Sequence, residues 1–306
     1  MNSTLKVGSR DSQLALWQAK TVQSILISSG GNCEIIRVKS IGDLDQESPL
    51  HELGTTGVFT KALDQALLNN KIDIAVHSLK DVPTIPEEGI VQAAVLKRDN
   101  FHDVLISKSR PDFLNDENSV ARIATGSLRR KAQWMNKFKN HEISGIRGNV
   151  PTRIQKVYTE DIDATILSLA GVERLGLNPD FTTILDWMIP APAQGVVGIF
   201  CRKSDEETFN VLKQVNDKDT AITSFIERQF LNTLEGGCTA PIGALAVIND
   251  QFIELTGSLL SNDGNKKIEL KNACELNKYK TLGSELAKEI LLKGGKEIME
   301  EIRNNG

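Results

Sequence analysis

Aromatic residues are scarce in this sequence: Phe, Trp and Tyr together make up 5% of its 306 residues. Proteins that bind single-stranded nucleic acid use aromatic side chains as stacking platforms, and few such platforms are available here. The chain also has no excess of positive charge, because its formal net charge is -4. A protein that coats nucleic acid is expected to be basic, so both features argue against that class of function.

Long apolar runs, paired cysteines and clustered histidines are missing as well. No apolar run approaches the roughly 18 residues that a membrane-spanning helix needs, and residues 1–7 have no apolar signal core. The four cysteines form no C-x-x-C pair, and the four histidines lack the spacing of metal ligands. We therefore expect a cytoplasmic protein with reduced thiols, no membrane partner and no metal site.

The residues that are present have the proportions of a globular protein, and the length suggests about two or three domains. Strand-like and helix-like segments alternate through the first two-thirds of the chain, which is typical of α/β domains with mainly parallel sheets. The predicted strands cover residues 5–7, 33–38, 72–76, 90–95, 103–106, 122–125, 142–146 and 164–167, with helices beginning near residues 12, 59, 127, 151 and 169. After residue 217, three strand-like runs between helices at 223–234 and 279–302 predict a smaller α+β domain. No internal repeat is evident.

Positive charge is concentrated between Arg122 and Lys156, where nine basic residues (122, 129, 130, 131, 137, 139, 147, 153 and 156) accompany one acid, Glu142. A solvated helix face would explain Lys137 and Lys139, and we favour that explanation for them. The arginines at predicted strand ends form a different group: Arg10, Arg129, Arg130, Arg147 and Arg153. Ligands of α/β sheets bind at such ends, and Arg pairs with carboxylate or phosphate through two hydrogen bonds. The predicted ligand is therefore a small polyanion.

Two other segments carry side chains suited to catalysis. Asp81 lies in the segment His77–Pro83, directly after a predicted strand. It is either a surface partner of Lys80, which would contribute about 0–1 kcal/mol, or a catalytic carboxylate at the strand end. Cys238 follows two glycines that allow close backbone approach, and it is either a small buried residue or a reactive thiol.

Six segments, taken in order, resemble the porphobilinogen deaminase family, also called hydroxymethylbilane synthase. They are residues 8–16 (GSRDSQLAL), 77–83 (HSLKDVP), 126–130 (GSLRR), 146–150 (IRGNV), 194–195 (QG) with 201–202 (CR), and 234–238 (LEGGC). One such segment would be modest evidence, but six with these spacings are highly specific.

The resemblance implies a transferase that joins four porphobilinogen units head to tail, releasing ammonia, to give the linear tetrapyrrole hydroxymethylbilane of haem and porphyrin biosynthesis. It also implies a dipyrromethane cofactor attached through a thioether to Cys238. Asp81 matches the family's catalytic aspartate, which would stabilise the cationic azafulvene left when ammonia departs. Each pyrrole ring carries an acetate and a propionate, which gives the arginines a physical reason.

The family's binding residues have matching positions in this sequence. The residues implied for cofactor binding are Ser12, Lys80, Asp81, Ser127, Arg129 and Arg130, and those implied for substrate binding are Arg10, Arg147, Arg153, Arg174 and Gln194. The sequence departs from the family pattern at Thr55-Thr56, where many members have Gly-Lys, and at Ala193, where Gly is usual. Thr55-Thr56 lies in a segment, residues 42–57, whose length and polarity are typical of a lid loop.

The implied fold is two similar periplasmic-binding-protein-like α/β domains with mainly parallel sheets, plus a smaller α+β C-terminal domain that carries Cys238. The expected boundaries are 1–98 with 197–217 for the first domain, 99–196 for the second and 218–306 for the third. The expected partner is the small molecule porphobilinogen, with no nucleic acid and no membrane, and we expect a monomer.

Two other functions stay open from the residues alone. A non-enzymatic binding module for small anions would explain the arginines but gives no reason for Asp81 or the Gly-Gly-Cys segment. A nucleic-acid binder would explain the basic run but not the net charge, and its binding should weaken steeply with salt.

Overall fold

The computed structural model describes residues 4–39, 60–116, 118–234 and 240–304. These residues divide into two compact units, and one of the boundaries, between residues 222 and 223, falls within a helix. Unit 1 comprises described residues of 4–39, 60–99 and 195–222, and unit 2 comprises 100–116, 118–194, 223–234 and 240–304. The finer division into three domains, at the boundaries given above, stays a prediction.

The described strands are numbered in chain order. They are β1 (Leu5–Ser9), β2 (Cys33–Arg37), β3 (Ile74–Ser78), β4 (Ile90–Val95), β5 (Asp103–Ser107), β6 (Arg122–Ala124), β7 (Glu142–Ser144), β8 (Ala164–Ser168), β9 (Phe181–Leu185), β10 (Val197–Arg202), β11 (Ile242–Asn249), β12 (Phe252–Leu260) and β13 (Lys267–Glu275). Sequence patterns predicted most of these strands but missed β9 and β10.

The described α-helices are numbered in the same way. They are α1 (Gln13–Ser28), α2 (Lys61–Leu68), α3 (Leu128–Lys137), α4 (Val150–Thr159), α5 (Leu169–Arg174), α6 (Glu206–Lys213), α7 (Lys218–Thr233), α8 (Leu282–Ile290) and α9 (Lys296–Asn304). The prediction of one helix over 279–302 is wrong. A 3-10 helix over Leu276–Thr281 precedes α8, and Gly294, with φ 104°, breaks the helical path before α9.

The two five-stranded sheets have the same pattern of strand directions, although the chain visits the five positions in a different order. The strand order is β2-β1-β3-β10-β4 in unit 1, called sheet 1, and β7-β6-β8-β5-β9 in unit 2, called sheet 2. In each sheet, the fourth strand of this order runs antiparallel to both neighbours, and the other four strands run in one direction. A third sheet, antiparallel β11-β12-β13, completes the α+β part of unit 2. The predicted fold class is confirmed.

The two sheets also share an aspartate at one position. Asp73 precedes β3, and its Oδ2 accepts a hydrogen bond from the Lys6 N–H at 3.0 Å. Asp163 precedes β8 in the same way, and its Oδ2 accepts from the Arg122 N–H at 2.7 Å. The same carboxylate thus anchors the matching strand pair in both sheets.

Burial explains why the strand ends, and not the strand middles, are available for ligands. Strand β3 is apolar and buried from Ile74 to His77, as expected for a strand with packing on both faces. Helix α1 buries the predicted stripe Ala15, Ala19, Val22 and Leu26. Burying a side chain such as Leu26 stabilises the fold by about 1.5–3 kcal/mol. The core therefore fixes the strands, while the polar residues gather where they end.

Candidate functional site

In unit 1, the ends of two adjacent parallel strands carry the predicted site residues. Strands β1 and β3 pair directly, so their carboxyl ends meet at one edge of sheet 1. Ser12 caps α1 just after β1, and its Oγ accepts a hydrogen bond from the Ala15 N–H at 3.3 Å. The Gln18 Nε2 of the same helix donates to the Ser78 Oγ at 2.8 Å, which ties α1 to the end of β3.

Asp81 lies in a short 3-10 turn, Leu79–Asp81, that follows β3 directly. The Leu79 N–H donates to the Val196 carbonyl oxygen at 2.9 Å, and the fully buried Leu79 side chain anchors the turn. The Asp81 side chain is exposed and lines one pocket together with Arg10 and Ser12. The structure thus brings these three predicted residues together, and the half-buried Lys80 lies in the same turn.

His77 forms part of the same pocket and was missed by the sequence analysis. Burial, with a further contribution from the charge of Arg10, lowers the pKa of His77 to about 3. Its ring packs edge-on against Phe200, with 5.7 Å between the ring centroids. His77 is therefore a neutral group at physiological pH, and it adds no positive charge beside Asp81.

In unit 2, the end of β6 carries the paired arginines. Ser127 caps α3, and its Oγ accepts a hydrogen bond from the Arg130 N–H at 3.4 Å. The Arg129 and Arg130 side chains point into the protein, and these residues are only 5% and 6% exposed. The helix start near residue 127 was predicted, but the burial of both arginines was not.

Asp103, the first residue of β5, holds both arginines. Its Oδ2 accepts from the Arg129 Nη1 at 2.6 Å, and its Oδ1 accepts from the Arg130 Nε at 2.9 Å. Burial alone would raise the pKa of Asp103, but the two guanidinium charges and the hydrogen bonds hold it below its ordinary range. Sequence analysis placed Asp103 in a strand without a role; the signal was an acid opening the apolar run Val104–Ile106.

Gln194 also contacts Asp103 and is completely buried. Its Nε2 donates to the Phe101 carbonyl oxygen at 2.8 Å and to the Asp103 Oδ1 at 3.0 Å. Ala193 before it has φ 60°, which explains why Gly is usual there, and its N–H donates to the Glu227 Oε2 at 2.7 Å. The amide of Gln194 thus orders protein groups, and its contact with substrate stays a prediction.

The other arginines of unit 2 that were predicted to bind substrate follow β7 and β8 in the chain. Gly148 has φ 111°, and its carbonyl oxygen accepts from the Arg153 Nε at 2.8 Å. Arg147 and Arg153 are half-buried, as is Arg174 in the last turn of α5. Among the described residues, the buried Nε atoms of Arg129 and Arg147 have no hydrogen-bond partner. A buried N–H donor without an acceptor is costly, so these donors favour an anionic ligand.

Several predicted residues lie outside the described part of the chain. They are Cys238 with its two preceding glycines, Thr55-Thr56 and the predicted loop 42–57. Within the described residues, no group of three or more His, Cys, Asp or Glu side chains could hold a metal ion.

Two α/β sheets whose strand ends carry arginines, with an exposed aspartate at the end of one, have the arrangement expected of a protein that binds a small anion. Comparisons with known proteins make this specific. The porphobilinogen deaminase of Desulforamulus reducens is 40% identical over 307 residues, covering 99% of this chain and 99% of that protein. The probable porphobilinogen deaminase of Methanocaldococcus jannaschii is 43% identical over 272 residues, covering 88% and 90%.

Family descriptions match most of the chain. Residues 5–210 match "Porphobilinogen deaminase, dipyromethane cofactor binding domain", and residues 221–292 match "Porphobilinogen deaminase, C-terminal domain". The chain belongs to the porphobilinogen deaminase family and is a transferase of tetrapyrrole biosynthesis. Among solved structures, the periplasmic VFT2 domain of Bordetella pertussis BvgS is 12% identical, with a TM-score of 0.41, covering 69% of this chain and 86% of that one.

Proposed function

We propose that this chain joins porphobilinogen units with Asp81 as the charge-stabilising carboxylate and Cys238 as the covalent anchor of a dipyrromethane cofactor. The observation that carries the proposal is the exposed carboxylate of Asp81, fixed by a turn at the end of β3 in the pocket lined by Arg10 and Ser12. A binding module for small anions would need the arginines but not this carboxylate.

Asp81 has two tasks in the proposed reaction. Loss of ammonia from porphobilinogen leaves a cationic azafulvene, and a fixed carboxylate beside the ring stabilises that charge as it develops. The same carboxylate can take the proton that leaves the attacked ring carbon. His77 lines the same pocket in its neutral state, so it adds no charge to the site.

The arginines and their helix caps are proposed to bind the carboxylates of the rings. We assign cofactor contacts to Ser12, Lys80, Asp81, Ser127, Arg129 and Arg130, and substrate contacts to Arg10, Arg147, Arg153, Arg174 and Gln194. The unpartnered Nε donors of Arg129 and Arg147 support carboxylate binding in unit 2. The assignment of Gln194 is supported by its match to the family, since its amide already contacts Asp103.

This donor set fits a dipyrromethane, whose two rings carry four carboxylates. When bound, the cofactor supplies the ring carbon to which the first substrate unit is joined. Its attachment to Cys238 is supported by the match of the Gly-Gly-Cys segment to the family. Three other cysteines are poor candidates, because burial raises the pKa of Cys33, Cys201 and Cys274, that of Cys201 to about 11.

The anchor can be tested by intact mass. We expect the wild-type protein to exceed its sequence mass by two pyrrole units, and the Cys238→Ser protein to lack this adduct and all activity. Cys274→Ser is the matched control, since Cys274 is a free thiol of intermediate exposure, and it should keep the adduct. An adduct that peptide mass analysis maps to another cysteine would contradict the assignment.

We also propose that the protein works in the cytoplasm as a monomer. Support for the compartment comes from Cys33 and Cys201, which are buried free thiols. Among the described residues, every helix is too short or too polar to cross a bilayer. Light scattering of the holoenzyme at micromolar concentration should give the mass of one chain, and twice that mass would contradict the proposed monomer.

A further inference from the structure

Asp103 is a buried acid at the centre of a hydrogen-bonded cluster in unit 2. Its side chain has no exposed surface, and its two oxygens accept four hydrogen bonds from three side chains. Arg129 contributes Nη1 at 2.6 Å and Nη2 at 3.2 Å, so its guanidinium meets the carboxylate end-on. Arg130 and Gln194 both donate to Oδ1, at 2.9 and 3.0 Å.

The end-on contact with Asp103 does not use the Nε donor of Arg129. The Arg129 Nη1 also donates to the Ile189 carbonyl oxygen at 2.8 Å, while its Nε is buried without an acceptor among the described residues. Arg130 is held further by the Ile166 carbonyl oxygen, which accepts from its Nη1 at 2.9 Å. The guanidinium groups are therefore fixed by protein acceptors, and the Nε donor of Arg129 is left for a ligand.

The described ion pairs of this cluster join two guanidinium groups to one carboxylate. A carboxylate of the proposed cofactor would be a further acidic partner for them. Without Asp103, both arginines would lose the carboxylate that holds them and would turn towards other acceptors.

The sheet itself does not need an acid at this position. In sheet 2, Asp103 is paired with Ser168, and in sheet 1 Val197 is paired with Ser78 at the equivalent register. Val197 is a buried apolar residue, and sheet 1 nevertheless has the same pattern of strand directions as sheet 2. The acid in sheet 2 is therefore explained by the arginines that it binds rather than by the architecture.

We propose that Asp103 is a positioning residue for cofactor loading, which orders Arg129 and Arg130 before the dipyrromethane arrives. This inference rests on the proposed function of the two arginines. It assigns Asp103 no contact with the cofactor or the substrate. Its effect is to fix the directions of the guanidinium donors, so that the buried Arg129 Nε is ready for an incoming carboxylate.

The first test measures loading directly. Full-length protein made in cells that cannot synthesise porphobilinogen is mixed with porphobilinogen, and the adduct is followed by intact mass. Asp103→Glu keeps the charge but moves it by one methylene, so we expect adduct to form at least tenfold more slowly than in wild type. Asp205→Glu is the matched control, because Asp205 pairs with the partly buried Arg202 at 2.8 Å in unit 1, and it should load at the wild-type rate.

A purely structural role for Asp103 would give a different result. It would lower the unfolding temperature of Asp103→Glu, but the folded protein would then form the adduct as fast as Asp205→Glu does. Equal loading of Asp103→Glu and wild type would overturn the proposal. Failure of the wild-type protein to form any adduct would instead contradict the proposed function, so the two failures are distinguishable.

The second test uses the wild-type chain and does not depend on a variant folding. The Nε–H resonances of Arg129 and Arg130 are assigned by NMR in protein without cofactor, and their exchange with solvent is measured. Because Asp103 orders both groups beforehand, we expect exchange at least tenfold slower than that of the exposed Arg110. Exchange as fast as that of Arg110 before loading would overturn the proposal.

Discussion

Units 1 and 2 have sheets with the same pattern of strand directions, but they place their acidic side chains differently. In unit 1, the turn after β3 reads Ser78-Leu79-Lys80-Asp81 and presents an exposed acid. In unit 2, the matching segment at the end of β8 reads Ser168-Leu169-Ala170-Gly171, begins α5 and carries no acid. The acid of unit 2 lies instead within the sheet, as Asp103, where it is buried between two arginines.

The comparison shows that two sheets of similar architecture can carry side chains suited to different tasks. An exposed carboxylate at a strand end is available to a developing positive charge in the substrate. A buried carboxylate paired with two guanidinium groups cannot act in that way, but it orders donors for anions. Unit 1 therefore has the group suited to chemistry, and unit 2 has the larger share of groups suited to binding carboxylates.

Arg147 sharpens the comparison on the binding side. The buried Nε of Arg147 has no partner among the described residues, so we expect it to bind a carboxylate of the growing chain. Arg147→Lys removes this donor and should weaken elongation by about 1.5–3 kcal/mol, roughly ten- to a hundredfold in rate. Stopped reactions analysed by mass should show cofactor loaded normally but short chains accumulating.

Arg37 is the control for that substitution, because it lies at the end of β2 in unit 1 with an exposed guanidinium, 3.1 Å from Asp11. Exposed pairs contribute little, so Arg37→Lys should elongate like wild type. If both variants elongate like wild type, unit 2 does not bind the growing chain through Arg147.

Asp64 gives a smaller effect that contrasts with Asp103. Burial raises the pKa of Asp64 to about 6, against a hydrogen bond from Thr60, and the charge of Glu87 adds to the increase. Between about pH 4 and 6 the folded state thus holds a proton that the unfolded state has lost, so this group's contribution to stability falls as pH rises. Asp64→Asn should therefore stabilise the protein at pH 8, by about 1 kcal/mol after allowance for solvent screening.

Thermal unfolding at pH 8 and near pH 4 checks this prediction. The Asp64→Asn midpoint should exceed that of wild type by about 2–4 °C at pH 8, and the difference should vanish near pH 4. Asp112→Asn removes an exposed acid, and its midpoint should match wild type at both pH values. A lower midpoint for Asp64→Asn at pH 8 would show that the carboxylate is stabilised rather than penalised by its surroundings.

Much of the fold could be predicted from local patterns. Apolar runs identified the central strands, and Ser12 and Ser127 were correctly placed as helix starts because their side chains cap the first turn. Strand β9 was missed because Phe181 and Thr182 are exposed, so it lacks a buried stripe. The likeness of the two sheets leaves little trace in the sequence, although Asp73 and Asp163 each stand five residues before a Ser-Leu pair.

The site residues could be predicted only as far as strand ends reveal them. Asp81 and Arg10 lie at such ends, and the structure places them around one pocket. Asp103 could not be assigned a role, because its partners Arg129 and Arg130 lie 26 and 27 positions away and meet it only through the sheet. The low pKa of His77 depends in the same way on burial, which no local pattern reports.

The central claim is that Asp81 provides the charge for the reaction, and single-turnover ammonia release tests it most directly. Holoenzyme loaded to completion is compared as wild type, Asp81→Asn, Asp81→Glu and the control Asp112→Asn, whose carboxylate is also exposed in a 3-10 turn. Removing a preorganised charge should slow release about a hundred- to a thousandfold in Asp81→Asn, with the unfolding temperature unchanged. Asp81→Glu should keep partial activity, and Asp112→Asn should match wild type. Ammonia release from Asp81→Asn at the wild-type rate would contradict the account.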